Sequence, residues 1–160
     1  MRSVTPAVLA LALLTAGCTA TPTRQAPPGF ENITLTVESH DDHDFEASYI
    51  AEVVVDAIVP PGVPAVFQDA NGNPVPFPGH HRAATPINIP IYYRPGVSLS
   101  ISFTAYMQGK WGDAVVCYVR DAAGNPIPST RSVGAVFDVP REEPHRIGRT
   151  QATCYYSVTP

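Results

Sequence analysis

From Phe30 onward, apolar side chains recur at every second position rather than every third or fourth. The clearest run is Val97 to Met107. Val97, Leu99, Ile101, Phe103, Ala105 and Met107 share one face, and Ser98, Ser100, Ser102 and Thr104 share the other. Ile33-Thr34-Leu35-Thr36-Val37 alternates in the same way, and Ile87, Ile89 and Ile91 lead into Tyr92-Tyr93. In Ala114 to Arg120, the residues Val115, Cys117 and Val119 fall on one face, so Cys117 is expected to point inward. Ala152 to Val158 reads as a closing strand. Ala47 to Val59 is more continuously apolar, and its Val, Ile and Tyr content predicts a strand bent or split near Asp56. No segment carries a helical stripe. The pattern predicts an all-β domain, a small sandwich.

The connections follow from the turn residues. Ser39 to Asp44 reads as a polar turn, Pro78 to Pro86 as a loop, and Gln108 to Gly112 as the tip of a hairpin. A long loop is expected to hold Gly134 to Phe137 and the charged stretch from Arg141 to Arg149. One turn occurs twice. Val66-Phe67-Gln68 runs into Asp69-Ala70-Asn71-Gly72-Asn73-Pro74, and Tyr118-Val119-Arg120 runs into Asp121-Ala122-Ala123-Gly124-Asn125-Pro126. Asp opens such a turn, Gly takes its left-handed position, and Pro is expected to keep the ladder from continuing. The signature is similar to a turn of bacterial immunoglobulin-like domains. On that likeness the expected fold is a small immunoglobulin-like β-sandwich.

The N-terminus departs from this pattern. Met1-Arg2 and the apolar stretch Ala7 to Leu14 make a signal-like segment too short to span a bilayer. It ends in Leu14-Thr15-Ala16-Gly17-Cys18, which resembles the lipobox of bacterial lipoproteins, with Thr15 where Leu or Val is usual. The resemblance implies lipidation of Cys18 as the first mature residue and a place at the extracytoplasmic face of the cell membrane. Thr19 to Gly29 is small, polar and Pro-rich, a tether. The division is therefore signal peptide 1–17, acylated tether 18–29, and sandwich domain 30–160.

Composition narrows the partners. The net charge of −4 offers no basic face to nucleic acid. Lys110 is the single lysine, and with abundant Ala, Val, Pro and Arg this bias points to a GC-rich genome of actinobacterial or phage type. With Cys18 lipidated, Cys117 and Cys154 are left as one even pair outside the cytoplasm, where disulfides persist. Two free thiols is the alternative.

Residues 33–158 also resemble the extracytoplasmic domain of the MmpS proteins, small mycobacterial envelope proteins partnered with RND-type lipid transporters. The segments that carry the likeness are ITLTVES, EASYIAE, NIPIYY, AYMQGKWGDAVVCYVRDAAGN and ATCYYSV. The departures are the lipobox in place of a transmembrane helix, Pro90-Ile91 where the family has Pro-Trp, and longer loops. The likeness implies the same fold class, a Cys117–Cys154 pairing and an envelope transporter as partner.

Few residues suggest chemistry. His40, Asp42 and His43, with His80 or His81 folding over, have the donor types for a divalent ion, but a solvated turn is the better account of them. No nucleophile elbow or phosphate loop is present, so the chain is expected to be no enzyme and to need no cofactor. Trp111 at the expected hairpin tip, and the adjacent pairs Tyr92-Tyr93 and Tyr155-Tyr156, are the candidate binding residues. Each pair should send one ring to each side of its sheet. The expected function is a lipid-anchored, non-catalytic binding or accessory module of the cell envelope, serving a lipid transporter or another surface protein. The alternatives are a phage-encoded surface lipoprotein that excludes superinfecting phage, and a metal-binding or hydrolytic lipoprotein.

Overall fold

The computed structural model describes residues 26, 28–41, 48–58, 66–68, 74–75, 79–143 and 145–159. The lipobox, most of the tether, Asp42 to Ala47 and the first copy of the repeated turn lie outside the described residues. Among the described residues there are ten strands: β1 (Glu31–His40), β2 (Ile50–Ile58), β3 (Val66–Gln68), β4 (Pro74–Val75), β5 (Gly79–Ala84), β6 (Ile87–Tyr93), β7 (Leu99–Gly109), β8 (Ala114–Arg120), β9 (Pro126–Ala135) and β10 (Gly148–Val158). Among the described residues there is no helix.

The strands form two antiparallel sheets, β4-β3-β6-β1-β8-β9 and β10-β7-β2-β5. They pack face to face, and the alternation dictates what lies between them. Ile33, Leu35, Val37, Ile91, Val115, Cys117 and Val119 come from the first sheet; Val53, Val55, Ile101, Phe103, Ala105 and Cys154 come from the second. All are nearly inaccessible to water. The architecture is the expected all-β sandwich. Its strand order places β1 in a sheet interior, between β6 and β8, whereas the first strand of a constant-type immunoglobulin domain stands at an edge.

Five sequence expectations are corrected. Gln108–Gly112 is not a hairpin tip: β7 and β8 lie in different sheets, and Lys110–Asp113 arches between them. An arch stacks two apolar strand faces on each other, so β7 and β8 face one another across the core rather than pairing side by side. The loop expected over Pro78–Pro86 contains β5, and the long loop after β8 contains β9. Both are sheet-edge strands. An edge strand has one neighbour and an exposed flank, so it tolerates polar residues and proline, and β5 and β9 carry no clear alternation. The split expected near Asp56 is absent: β2 runs unbroken from Ile50 to Ile58. The polar turn expected from Ser39 does not include Ser39 or His40, since β1 continues through His40, with Ser39 buried and hydrogen-bonded to Thr85.

The repeated turn is visible in its second copy. The Asp121 carboxylate accepts the backbone N–H of Ala123 at 2.9 Å and of Asn125 at 2.8 Å. Gly124 has the left-handed φ of 86°. The Asn125 N–H, with further backbone and side-chain donors in the turn, holds the Asp121 carboxyl below the usual carboxylate range. The prolines do not break the ladder. Pro74 opposes Gln68 and Pro126 opposes Arg120, each as the first residue of its returning strand.

Candidate functional site

Strand directions give the domain two distinct ends. β1 enters at Glu31, opposite Tyr93, and leaves at His40, opposite Ala114. The arch joins Gly109 to Ala114, so Met107, Ala51 and Gly148, which pair around the end of β7, stand at the His40 end. This end lies about 30 Å from Glu31 by strand rise alone.

A groove of about 550 Å³ opens at that end, on the outer face of the second sheet. Its centre is Tyr106 on β7. Directly across the ladders stand Gln151 of β10 and Glu52 of β2, and Arg82 of β5 is opposite Glu52. Arg149 of β10 pairs with Gln108 in the adjoining row. Ile50 completes the wall. A second depression of about 560 Å³ shares Tyr106, Arg149 and Thr150, and continues past the sheet edge to Phe137.

The side chains of this surface are open to solvent. Tyr106 is 43 % exposed, Ile50 56 % and Phe137 73 %. Neither the Arg82 nor the Arg149 guanidinium has a hydrogen-bond or ion-pair partner among the described residues. By contrast, Glu52 is engaged by His80 Nε2. Among the described residues, the groove thus presents two guanidinium groups without a hydrogen-bond or ion-pair partner and one carboxylate, held by His80, around an aromatic ring.

A second polar cluster lies on the outer face of the first sheet. Tyr118 donates its phenol to Glu38 Oε1 at 2.6 Å, and Arg120 donates to the Tyr118 oxygen. Burial first, and then the Glu38 carboxylate, push the Tyr118 phenol up to about 12, against the pull of Arg120. A third cluster closes the arch. Asp113 is 2 % exposed, and its Oδ2 accepts the Tyr49 phenol at 2.9 Å and the Lys110 backbone N–H at 2.6 Å. Its backbone carbonyl accepts the Val136 N–H at 2.8 Å. Burial and the Asp113 carboxylate raise the Tyr49 phenol well above the ordinary range. Both clusters are internally satisfied, so they serve the fold.

The residues singled out in the sequence fall in scattered places. Cys117 and Cys154 join the two sheets in a disulfide with a Cα–Cα distance of 6.1 Å. Trp111 sits in the arch, half-buried, with the Arg141 guanidinium 5.0 Å from its ring centre. The tyrosine pairs do split between faces. Tyr93 and Tyr156 turn inward, their hydroxyls 3.5 Å apart, and Tyr155 is exposed. Tyr92 is only 1 % exposed, so its ring offers no surface to a ligand. For the metal set, Asp42 and His43 lie outside the described residues, while His40 is on β1 of one sheet and His80 on β5 of the other. Among the described residues, no three His, Cys, Asp or Glu side chains gather as metal ligands.

Sequence reasoning missed Tyr106, Arg82, Arg149 and Phe137. One signal was present: Tyr106 is an aromatic residue on the face of β7 that otherwise carries Ser100, Ser102 and Thr104. The convergence of Arg82 and Arg149 had none, because it depends on β5 and β10 flanking the same sheet. No known protein family, curated protein or solved structure matches the chain.

Proposed function

We propose that this chain is a lipid-anchored protein of the cell envelope whose sandwich domain is a non-catalytic binding module. Cys18 and the Pro-rich tether hold it to the outer face of the membrane, and the Tyr106 groove receives its partner. The observation that carries this reading is the placement of the groove. It opens at the strand ends opposite Glu31, where β1 begins just after the tether. A module anchored through its N-terminus would therefore present the exposed tyrosine and the two arginines away from the membrane.

Two further features support the reading. Leu14 to Cys18 has the small residues and cysteine of a lipobox. The interior Cys117–Cys154 bond suits an oxidising compartment beyond the cytoplasm. The MmpS resemblance of the segments around Cys117 and Cys154 adds an accessory role beside a lipid transporter.

The test is fractionation of cells expressing the wild type and Cys18→Ala. The reading expects wild-type protein in the membrane fraction, with a mature mass beginning at Cys18 plus acyl chains. It expects the variant as precursor or released protein. An unacylated, freely secreted wild type would overturn it.

A further inference from the structure

The chemistry of the groove specifies a class of ligand, given the reading of this domain as a binding module, on which the assignment rests. The groove floor is rich in donors. Arg82 and Arg149 each bring a guanidinium without a partner among the described residues, while Gln108 and Gln151 add amide groups. Among the described residues, the only carboxylate on the floor is that of Glu52, already held by His80. In a chain of net charge −4, this is a local excess of positive charge. A ligand that fits it is anionic and rich in acceptors.

Shape and apolar content select further. The groove is open and crosses the strands, with Arg82 on β5 and Arg149 on β10 at its two sides. Three strand spacings separate them, about 14 Å, and each arginine stem can reach inward over the Tyr106 ring. The large apolar groups are Tyr106 and Ile50, with Phe137 at the far end. An acyl chain would meet polar side chains along most of this floor. A folded protein partner would leave the arginines to be matched one by one on a surface without an apolar centre. A sugar ring, by contrast, stacks its C–H face on a tyrosine and turns its hydroxyls to amides and guanidinium groups on either side.

We infer that the Tyr106 groove binds an acidic oligosaccharide, its sugar face on Tyr106 and its carboxylate or phosphate groups on Arg82 and Arg149. Guanidinium forks suit both anions, because each offers two acceptor oxygens in one plane. The anion is what holds the ligand, and the ring is what orients it.

The test is calorimetric titration of the mature protein, purified in detergent, with tetragalacturonate and with a sugar-phosphate oligomer of the same length. At least one should bind, and the tighter of the two identifies the anion. Complete methyl esterification of tetragalacturonate should abolish its binding. Arg82→Ala and Arg149→Ala should each weaken the preferred ligand at least tenfold without changing the melting temperature. Tyr106→Ala should do the same, and Tyr106→Phe, which keeps the ring, should bind as the wild type does. Three results would overturn the inference: no binding of either acidic oligomer, binding unaffected by the arginine substitutions, or equal binding of hexaglutamate. Hexaglutamate binding would leave a binding module with a peptide ligand. Anchoring through Cys18 is read independently, from the mature mass.

Discussion

Gly134 of β9 and Gln151 of β10 meet backbone to backbone: a Cβ on Gly134 would stand 1.9 Å from the Gln151 carbonyl oxygen. The two strands belong to different sheets, so this contact is where the sandwich closes along one edge. Only a residue without a side chain permits it. Gly134→Ala should therefore cost about 2 kcal/mol, the scale of overpacking at a tight site. Urea unfolding measures it, and an unchanged midpoint would mean that the edge gives way freely.

The arch depends on a buried carboxylate with two donors. Tyr49→Phe removes one of them and leaves Asp113 Oδ2 with the Lys110 N–H alone. The expected loss is about 2 kcal/mol, the usual cost of an under-satisfied buried polar group. Asp113→Asn in the Tyr49→Phe background should recover part of it, because the neutral amide is cheaper to bury. Thermal unfolding of the two variants distinguishes this from simple loss of a ring contact.

The disulfide ties strands separated by 37 residues in the chain. In the chain-entropy model, closing a loop of that length is worth about 4 kcal/mol. Cys117→Ala with Cys154→Ala should lower the unfolding free energy on that scale while leaving far-UV circular dichroism sheet-like. A drop well below about 1 kcal/mol would show that the reduced, unfolded chain keeps the two strands together by other means.

Alkaline pH should weaken the fold. Burial first raises the phenols of Tyr49, Tyr93 and Tyr118, that of Tyr118 to about 12, above the ordinary value near 10. The native state therefore keeps protons that the unfolded chain releases. Their stabilisation is complete below about pH 10 and is lost as pH rises through the folded values. Urea midpoints should be level between pH 7 and 9 and fall by pH 11. In Tyr118→Phe the fall should be shallower, since one of the three proton-retaining groups is gone.

The sequence made some of this legible and withheld the rest for physical reasons. The strands of the core, the inward face of Cys117 and the split of Tyr155 from Tyr156 followed from a period of two, which a half-buried strand imposes on its own residues. The edge strands β5 and β9 carry no such period. β5 is GHHRAA and β9 contains Pro126 and Pro128, so both read as loops. The arch at Lys110–Asp113 read as a hairpin because alternation states which face is apolar, not whether two such faces lie side by side or stacked. The groove failed to appear for the same reason. Arg82 and Arg149 are far apart in the chain and stand on the two edge strands of one sheet, a relation fixed only by strand order. Tyr106 alone carried a trace, as a ring on a polar face.

An anchored extracytoplasmic sandwich requires a definite state of each of the three cysteines, and mass spectrometry reads all three at once. Protein isolated from the cell envelope would be denatured without reductant, treated with iodoacetamide and weighed intact. The expected product is a chain beginning at Cys18, carrying acyl mass and no carbamidomethyl group, as the proposed lipidation of Cys18 and the Cys117–Cys154 bond together require. Alkylation of Cys117 and Cys154, or of a free Cys18, would contradict it.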